Sequence, residues 1–199
     1  MSLLDSNFYA GSEYFIDEKV GMFKLTNSYK IYNASGNQVG AINQKRTGGG
    51  GLLQFVLSKK MLPFKLNVVD SQGQVQATIC RGWSFWMSKI KIEDSNGNSI
   101  GIIKQKFKFF SSLFHLINEQ GDQLAQINGD WKAWNFNISN MNGVQLGSIT
   151  KKWAGLAKEF FTTADKYVVQ VHNSKAPKLE KLMVLTVAIT IDMVLKESK

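Results

Sequence analysis

The sequence predicts a mainly β protein, a closed antiparallel β-barrel of about twelve strands around a central hydrophobic C-terminal α-helix. Three observations predict it. One ten-residue phrase recurs five times in 199 residues. Runs of alternating apolar and polar residues precede the copies. The chain closes on an apolar run of helical length.

The phrase first occurs as NASGNQVGAI (33–42) and returns as DSQGQVQATI (70–79), DSNGNSIGII (94–103), NEQGDQLAQI (118–127) and NMNGVQLGSI (140–149). Every copy reads Asp or Asn, two residues, Gly, three residues, Gly or Ala, one residue, Ile. This is turn chemistry: the Asx side chain accepts a backbone N–H two residues on, and the glycine supplies the left-handed conformation that closes a hairpin. Before the tips, Tyr29 and Ile31 alternate with Lys30 and Tyr32, and Ser88, Ile90 and Ile92 with Lys89, Lys91 and Glu93. That is the period of a strand with one buried face. After each tip, Gly40, Ala77, Gly101, Ala125 or Gly147 shares a face with the Ile two residues on. A small residue there lets strands bend or another element come close.

Five hairpins supply ten strands, and EFFTTADKYVVQV (159–171) reads as a sixth hairpin turning at Thr163–Asp165. A sheet of this size is expected to close, because closure removes exposed strand edges. The expected organisation is a short N-terminal segment, 1–18, followed by a single barrel domain, 19–199, whose core helix spans about 178–197.

That helix follows Pro177, carries Glu180 near its start and Lys196 near its end, and so suits the helix dipole. From Leu182 to Leu195 its polar members are Thr186, Thr190 and Asp192. A helix apolar nearly all round must be buried. A bilayer span needs roughly 20 apolar residues, and a shorter run is more often a core helix. A twelve-stranded barrel is too wide for its own side chains to fill. The helix is therefore expected as its plug.

With 44% hydrophobic and 20% charged residues the composition is globular. The lone Cys80 excludes an intrachain disulfide, and the first residues show no secretory pattern. Both point to a reducing, cytoplasmic setting, and the basic residues below add an expected peripheral association with a membrane surface. The net charge of +9 favours an anionic partner, with solubility alone as the plainer account.

Catalytic and metal patterns fail on spacing. Asp94-Ser95-Asn96-Gly97-Asn98 resembles a calcium loop, but its glycine falls fourth instead of sixth, and Gln105 stands where the bidentate Glu belongs. His115 and His172 have no Cys or carboxylate at ligand spacing. Cys80, in a strand beside Arg81, reads as a packed thiol. Gly48–Gly51 lacks the Lys-Ser/Thr of a phosphate loop. A non-enzymatic protein without metal or cofactor is expected.

The segment ITKKWAGLAKEFFTTAD (149–165) resembles the most characteristic stretch of the phospholipid scramblases and their relatives. The matching residues are Ile149, Lys151, Trp153, Gly155, Lys158, Glu159, Phe161, Thr162, Ala164 and Asp165. GDWKAWNFNISNMNGVQLGSI resembles the hairpin that precedes it in that family. The resemblance joins the chain to LURP-one-related and Tubby C-terminal-like domains. It implies a twelve-stranded barrel around a C-terminal helix, with lipid movement or phosphoinositide binding among the activities credited to relatives. Animal scramblases carry a proline-rich tail and a palmitoylated cysteine cluster that this sequence lacks. Their calcium loop begins near the Ala-Asp pair, where this chain continues Lys166-Tyr167-Val168-Val169 without oxygen ligands. The chain reads as the bare barrel domain.

The candidate binding residues are basic. In Lys104-Gln105-Lys106-Phe107-Lys108 the strand period puts three lysines on one face, opposite Gln105, Phe107 and Phe109. Lys151 and Lys152 join them as candidates, and Lys45–Arg46, Lys59–Lys60 and Lys89–Lys91 would extend the positive surface. The expected partner is anionic phospholipid at a membrane surface. The rival readings are a nucleic-acid or protein-interaction module, an integral scramblase whose helix spans the bilayer, and a merely solvated lysine face. Trp83, Trp86, Trp131, Trp134 and Trp153 read first as core, and only second as interfacial anchors.

Overall fold

The computed structural model describes residues 7–19, 28–45, 63–83, 89–107, 112–130, 132–151 and 166–196. Its strands are β1 (Glu13–Lys19), β2 (Ser28–Asn33), β3 (Gln38–Lys45), β4 (Phe64–Asp70), β5 (Val75–Arg81) and β6 (Lys89–Asp94). They continue with β7 (Ser99–Phe107), β8 (Ser112–Ile117), β9 (Gln123–Asp130), β10 (Asn135–Asn140), β11 (Gln145–Thr150) and β12 (Lys166–Val171), followed by helix α1 (Lys178–Lys196). Each strand pairs antiparallel with its sequence neighbours, and β1 pairs with β12, so the sheet closes into a barrel.

The five repeats form the hairpin tips joining β2–β3, β4–β5, β6–β7, β8–β9 and β10–β11. Asn33 Oδ1 accepts the N–H groups of Ser35 and Asn37, each at 3.0 Å. Asp70, Asp94 and Asn140 do the same in their turns, and Asn118 Oδ1 accepts the N–H of Asp122. The glycines Gly36, Gly73, Gly97, Gly121 and Gly143 all adopt positive φ, between 78° and 98°. Each hairpin shifts register one pair before its tip, the signature of a type I turn closed by a glycine bulge.

Twelve strands are present, but not the twelve the turn count suggested. Of the expected hairpin at 159–171 the second arm is β12, while its first arm lies outside the described residues. The remaining strand is β1, which starts in the 1–18 stretch set apart by the sequence reading and ends at Lys19. Tyr14, Phe15 and Ile16 follow one another there, so no clean alternation announces a strand. Tyr14 and Ile16 enter the core, whereas Phe15 packs outside against Val168 and Tyr32.

Helix α1 fills the barrel. Val184, Leu185, Val187, Ile189 and Ile191 are each 0–1% exposed, and each contributes about 1.5–3 kcal/mol on burial. Its hydroxyls bond back to its own turns, Thr186 Oγ1 to the Leu182 carbonyl at 2.7 Å and Thr190 Oγ1 to that of Thr186 at 2.8 Å. Asp192, unwelcome in a bilayer, is enclosed here with 0% exposure. The small position of the repeat admits the helix: a Cβ on Gly147 would stand 2.6 Å from Val184 Cγ1. At Gly40 the close neighbours are the Val69 carbonyl oxygen at 2.5 Å and then, at 2.8 Å, Phe8 from a short 3-10 helix, Asn7–Tyr9. Lys181 Nζ ties that segment to α1, donating to the carbonyls of Tyr9 at 2.9 Å and Gly11 at 3.1 Å.

Candidate functional site

Strand parity decides which lysines face out. In β4 Phe64, Leu66 and Val68 are buried in the core, so Lys65 points outward, and it is exposed. In β6 Ile90 and Ile92 point in, which turns Lys89 and Lys91 out. In β7 Gly101 and Ile103 are buried and Lys104 is exposed. The register then sets Lys89 directly opposite Lys104, and Lys45 directly opposite Lys65. Directly opposed residues place their Cβ atoms about 4.5–5.5 Å apart, where like charges destabilise a sheet.

The charges are not neutralised evenly. Lys91 is held by Glu93 at 3.2 Å and Glu119 at 3.1 Å. The hydrogen bond to Glu119, then that to Glu93, raises its pKa. Lys166 pairs with Asp17 at 3.5 Å. By contrast, Lys65, Lys89 and Lys104 form no ion pair with a described residue. Cys80 lies between the Lys65 and Lys91 positions. Burial foremost, and then Glu93, push its thiol pKa up against the lowering pull of those lysines, which keeps it a thiol.

Of the five lysines singled out from the sequence, the two whose side chains are described, Lys104 and Lys151, lie apart on the barrel. Lys104 faces solvent, and Lys106 holds the same parity two residues along β7. Lys108 and Lys152 lie outside the described residues. Lys151 sits four strands away around the barrel, about 19 Å at 4.8 Å per strand. It is half-buried, with Nζ 4.7 Å above the Trp134 ring. Lys104 is joined instead by Lys89, whose place follows from counting back from the Asp94 turn. Lys65 also joins, and sequence reasoning missed it because it stands alone between Phe64 and Leu66.

The tryptophans divide. Trp134 is core, stacked on Tyr167 at 5.9 Å and edge-on to Phe136 at 6.0 Å. Its φ of 48° is unusual for a bulky residue. Trp83, two residues beyond β5, is 49% exposed. Trp86, Trp131 and Trp153 fall outside the described residues.

At the opposite end of the barrel, beside the hairpin turns, an open cavity of about 340 Å³ is lined by Tyr9, Asp70, Gln76, Asp94, Lys178 and Leu179, among others. Its carboxylates are engaged in their own turns, with Asp70 Oδ2 also accepting Gln76 Nε2 at 2.9 Å. Burial first, and then Asp70 and Asp94, push the Tyr9 phenol up to about 12. The Asp94 loop is a hairpin turn, as its spacing suggested.

A closed twelve-stranded antiparallel barrel threaded by its own C-terminal helix defines a Tubby C-terminal-like domain. The same fold is found in an X-ray structure of a protein from Arabidopsis thaliana, with a TM-score of 0.55 over 97% of this chain and 98% of that one at 10% identity. The chain belongs to the scramblase family, whose sequence profile matches residues 17–198. It is similar to a phospholipid scramblase family protein of Schizosaccharomyces pombe, 26% identical over 77% of this chain and 43% of that protein. It is also similar to human phospholipid scramblase 2, 21% identical over 81% and 58%. A third relative is altered inheritance rate of mitochondria protein 25 of Saccharomyces cerevisiae, 23% identical over 77% and 54%. The chain spans about half the length of these curated relatives. Among the described residues no helix is long and apolar enough to cross a membrane.

Proposed function

We propose that this chain is a non-enzymatic barrel domain that binds anionic phospholipid from the cytoplasmic side of a membrane and thereby affects lipid distribution. Its contact residues are the outward lysines Lys65, Lys89 and Lys104, with Lys106 and Lys108 continuing the row in the chain. The observation that carries this reading is the Lys89–Lys104 pair, two like charges set directly opposite with no carboxylate partner among the described residues. Such a pair works against the fold when free and is relieved by an anion. Scramblase family membership supports reading that anion as a lipid headgroup.

Each lysine near an anionic surface contributes about 1 kcal/mol, so the described three amount to roughly 100-fold in affinity. Cosedimentation with phosphatidylcholine vesicles containing increasing phosphatidylserine tests it. Binding is expected to rise with the acidic fraction, fall with salt, and weaken in the Lys65→Glu/Lys89→Glu/Lys104→Glu variant. Absence of binding at low salt refutes the proposal. A gel shift with duplex and single-stranded DNA over the same salt series separates it from a nucleic-acid module, whose phosphate contacts give a steep salt slope.

A further inference from the structure

We infer that the barrel docks on the anionic bilayer end-on, with the end opposite the five hairpin turns against the lipid and Trp83 seated in the interface. This rests on the lipid-binding reading above and adds an orientation to it. The two ends of the barrel are chemically different. Even-numbered strands run toward the Asx-Gly turns and odd-numbered strands run back, so the five repeat turns lie at one end and the other strand-to-strand connections start at the opposite end.

The turn end carries Asp70, Asp94, Glu119 and Asp122 at its tips, with Lys175 and Lys178 beside the helix entry. Lys178 is occupied over the Tyr9 ring, 5.8 Å from its centroid. The turn end also exposes Met141, Val144 and Leu179, at 56–57%. Met141 and Val144 lie on the tip next to that of Glu119 and Asp122, and Leu179 lines the cavity with Asp70 and Asp94, carboxylates that an anionic surface repels. At the other end Lys89 opens β6, Lys65 is the second residue of β4, and Lys104 lies in the last half of β7. Among the described side chains there, Asp17 pairs with Lys166, and Asp130 accepts the N–H groups of Lys132 and Ala133, so the lysines outnumber the carboxylates.

Trp83 adds an anchor to the charge. It follows β5, the strand between β4 with Lys65 and β6 with Lys89, and stands half-exposed at that rim. A large amphipathic ring beside unneutralised lysines suits the headgroup layer, where tryptophan is favoured. By chain position all five tryptophans fall between an odd strand and the next even one. The two described ones, Trp83 and Trp134, both sit at that end and report on it optically.

The experiment uses the full chain with phosphatidylcholine/phosphatidylserine vesicles containing brominated acyl chains. A fluorophore on Met141→Cys, in a Cys80→Ser background, reports the turn end. End-on docking predicts quenched, blue-shifted tryptophan emission, an unchanged label at 141, and severalfold weaker binding by Trp83→Ala with its thermal unfolding unaltered. Binding that quenches the 141 label and spares tryptophan overturns the orientation while leaving lipid binding standing. Equal response at both ends means the barrel lies on its side, which also overturns it. No vesicle binding at low salt overturns this inference and the lipid reading together.

Discussion

Replacing Lys104 by Glu separates a lysine kept for binding from one kept for solubility. Lys104 faces Lys89 across the β6–β7 ladder, and neither has a carboxylate partner among the described residues. An opposite-charge pair facing across a ladder contributes about 0.2–1 kcal/mol, and a like-charge pair works against the sheet. Both side chains are exposed, so screening holds the exchange near about 1 kcal/mol. For a chain of this size that corresponds to a Tm increase of about 2–4 °C. Vesicle affinity should move the other way. Removing one lysine and adding one negative charge takes away about 2 kcal/mol near an anionic surface, a loss of about 30-fold. Thermal unfolding at low and high salt and vesicle cosedimentation read the two effects. The stability gain should shrink with salt. A Lys104→Glu protein that is less stable than the parent at low salt, or that binds vesicles equally well, refutes the reasoning.

The remaining predictions concern the scaffold. Gly147→Ala places a Cβ 2.5 Å from the Gln170 carbonyl oxygen and 2.6 Å from Val184 Cγ1. Urea denaturation should show a loss of about 2–3 kcal/mol, because backbone cannot swing aside. Gly101→Ala meets chiefly the tip of Leu116, 2.7 Å away, and should lose less than half as much. Lys181→Met strands the carbonyls of Tyr9 and Gly11, and should lower stability by about 2–4 kcal/mol in the same assay. The Asp94 carboxyl is held below the usual aspartate value, first by the Asn98 side chain and then by backbone N–H groups of its turn. Its contribution is present at neutral pH and lost as pH falls through the lowered pKa. Carboxyl NMR titration should place it below 3.8, and the Asp94→Ala defect should fade in acid.

The barrel was legible because the turns are local. An Asx acceptor, a left-handed glycine and a small residue seven positions after the Asx are satisfied within one phrase of sequence, so repetition counted the hairpins. The helix was legible for a similar reason, being too apolar to leave exposed and too short to span. What sequence could not supply was register around the closure. β1 hides because Phe15 breaks its alternation, and only the pairing with β12 gives Phe15 an outward partner in Val168. The site was half legible for the same cause. Lys104 was visible from parity within one strand, but its neighbours Lys89 and Lys65 lie 15 and 39 residues away in the chain. Lys151, visible in a basic pair, is turned onto Trp134 instead.

The five copies also show where function resides in such a fold. Their shared positions, the Asx, the glycine, the small residue and the Ile, are all spent on turns and packing. Gly147 yields to α1, Gly40 to Phe8, and Ile42, Ile79 and Ile127 are each 0% exposed. The outward positions between them carry less packing demand and are freer to differ. They do so unevenly: Asn137 and Ser148 face each other on β10 and β11, and Thr78 faces Glu93 on β5 and β6, whereas β6 and β7 oppose two lysines. A barrel held together by its interior can tolerate that repulsion on one outer sector. The sector that works against the fold without helping it is the one to assign to a partner outside it.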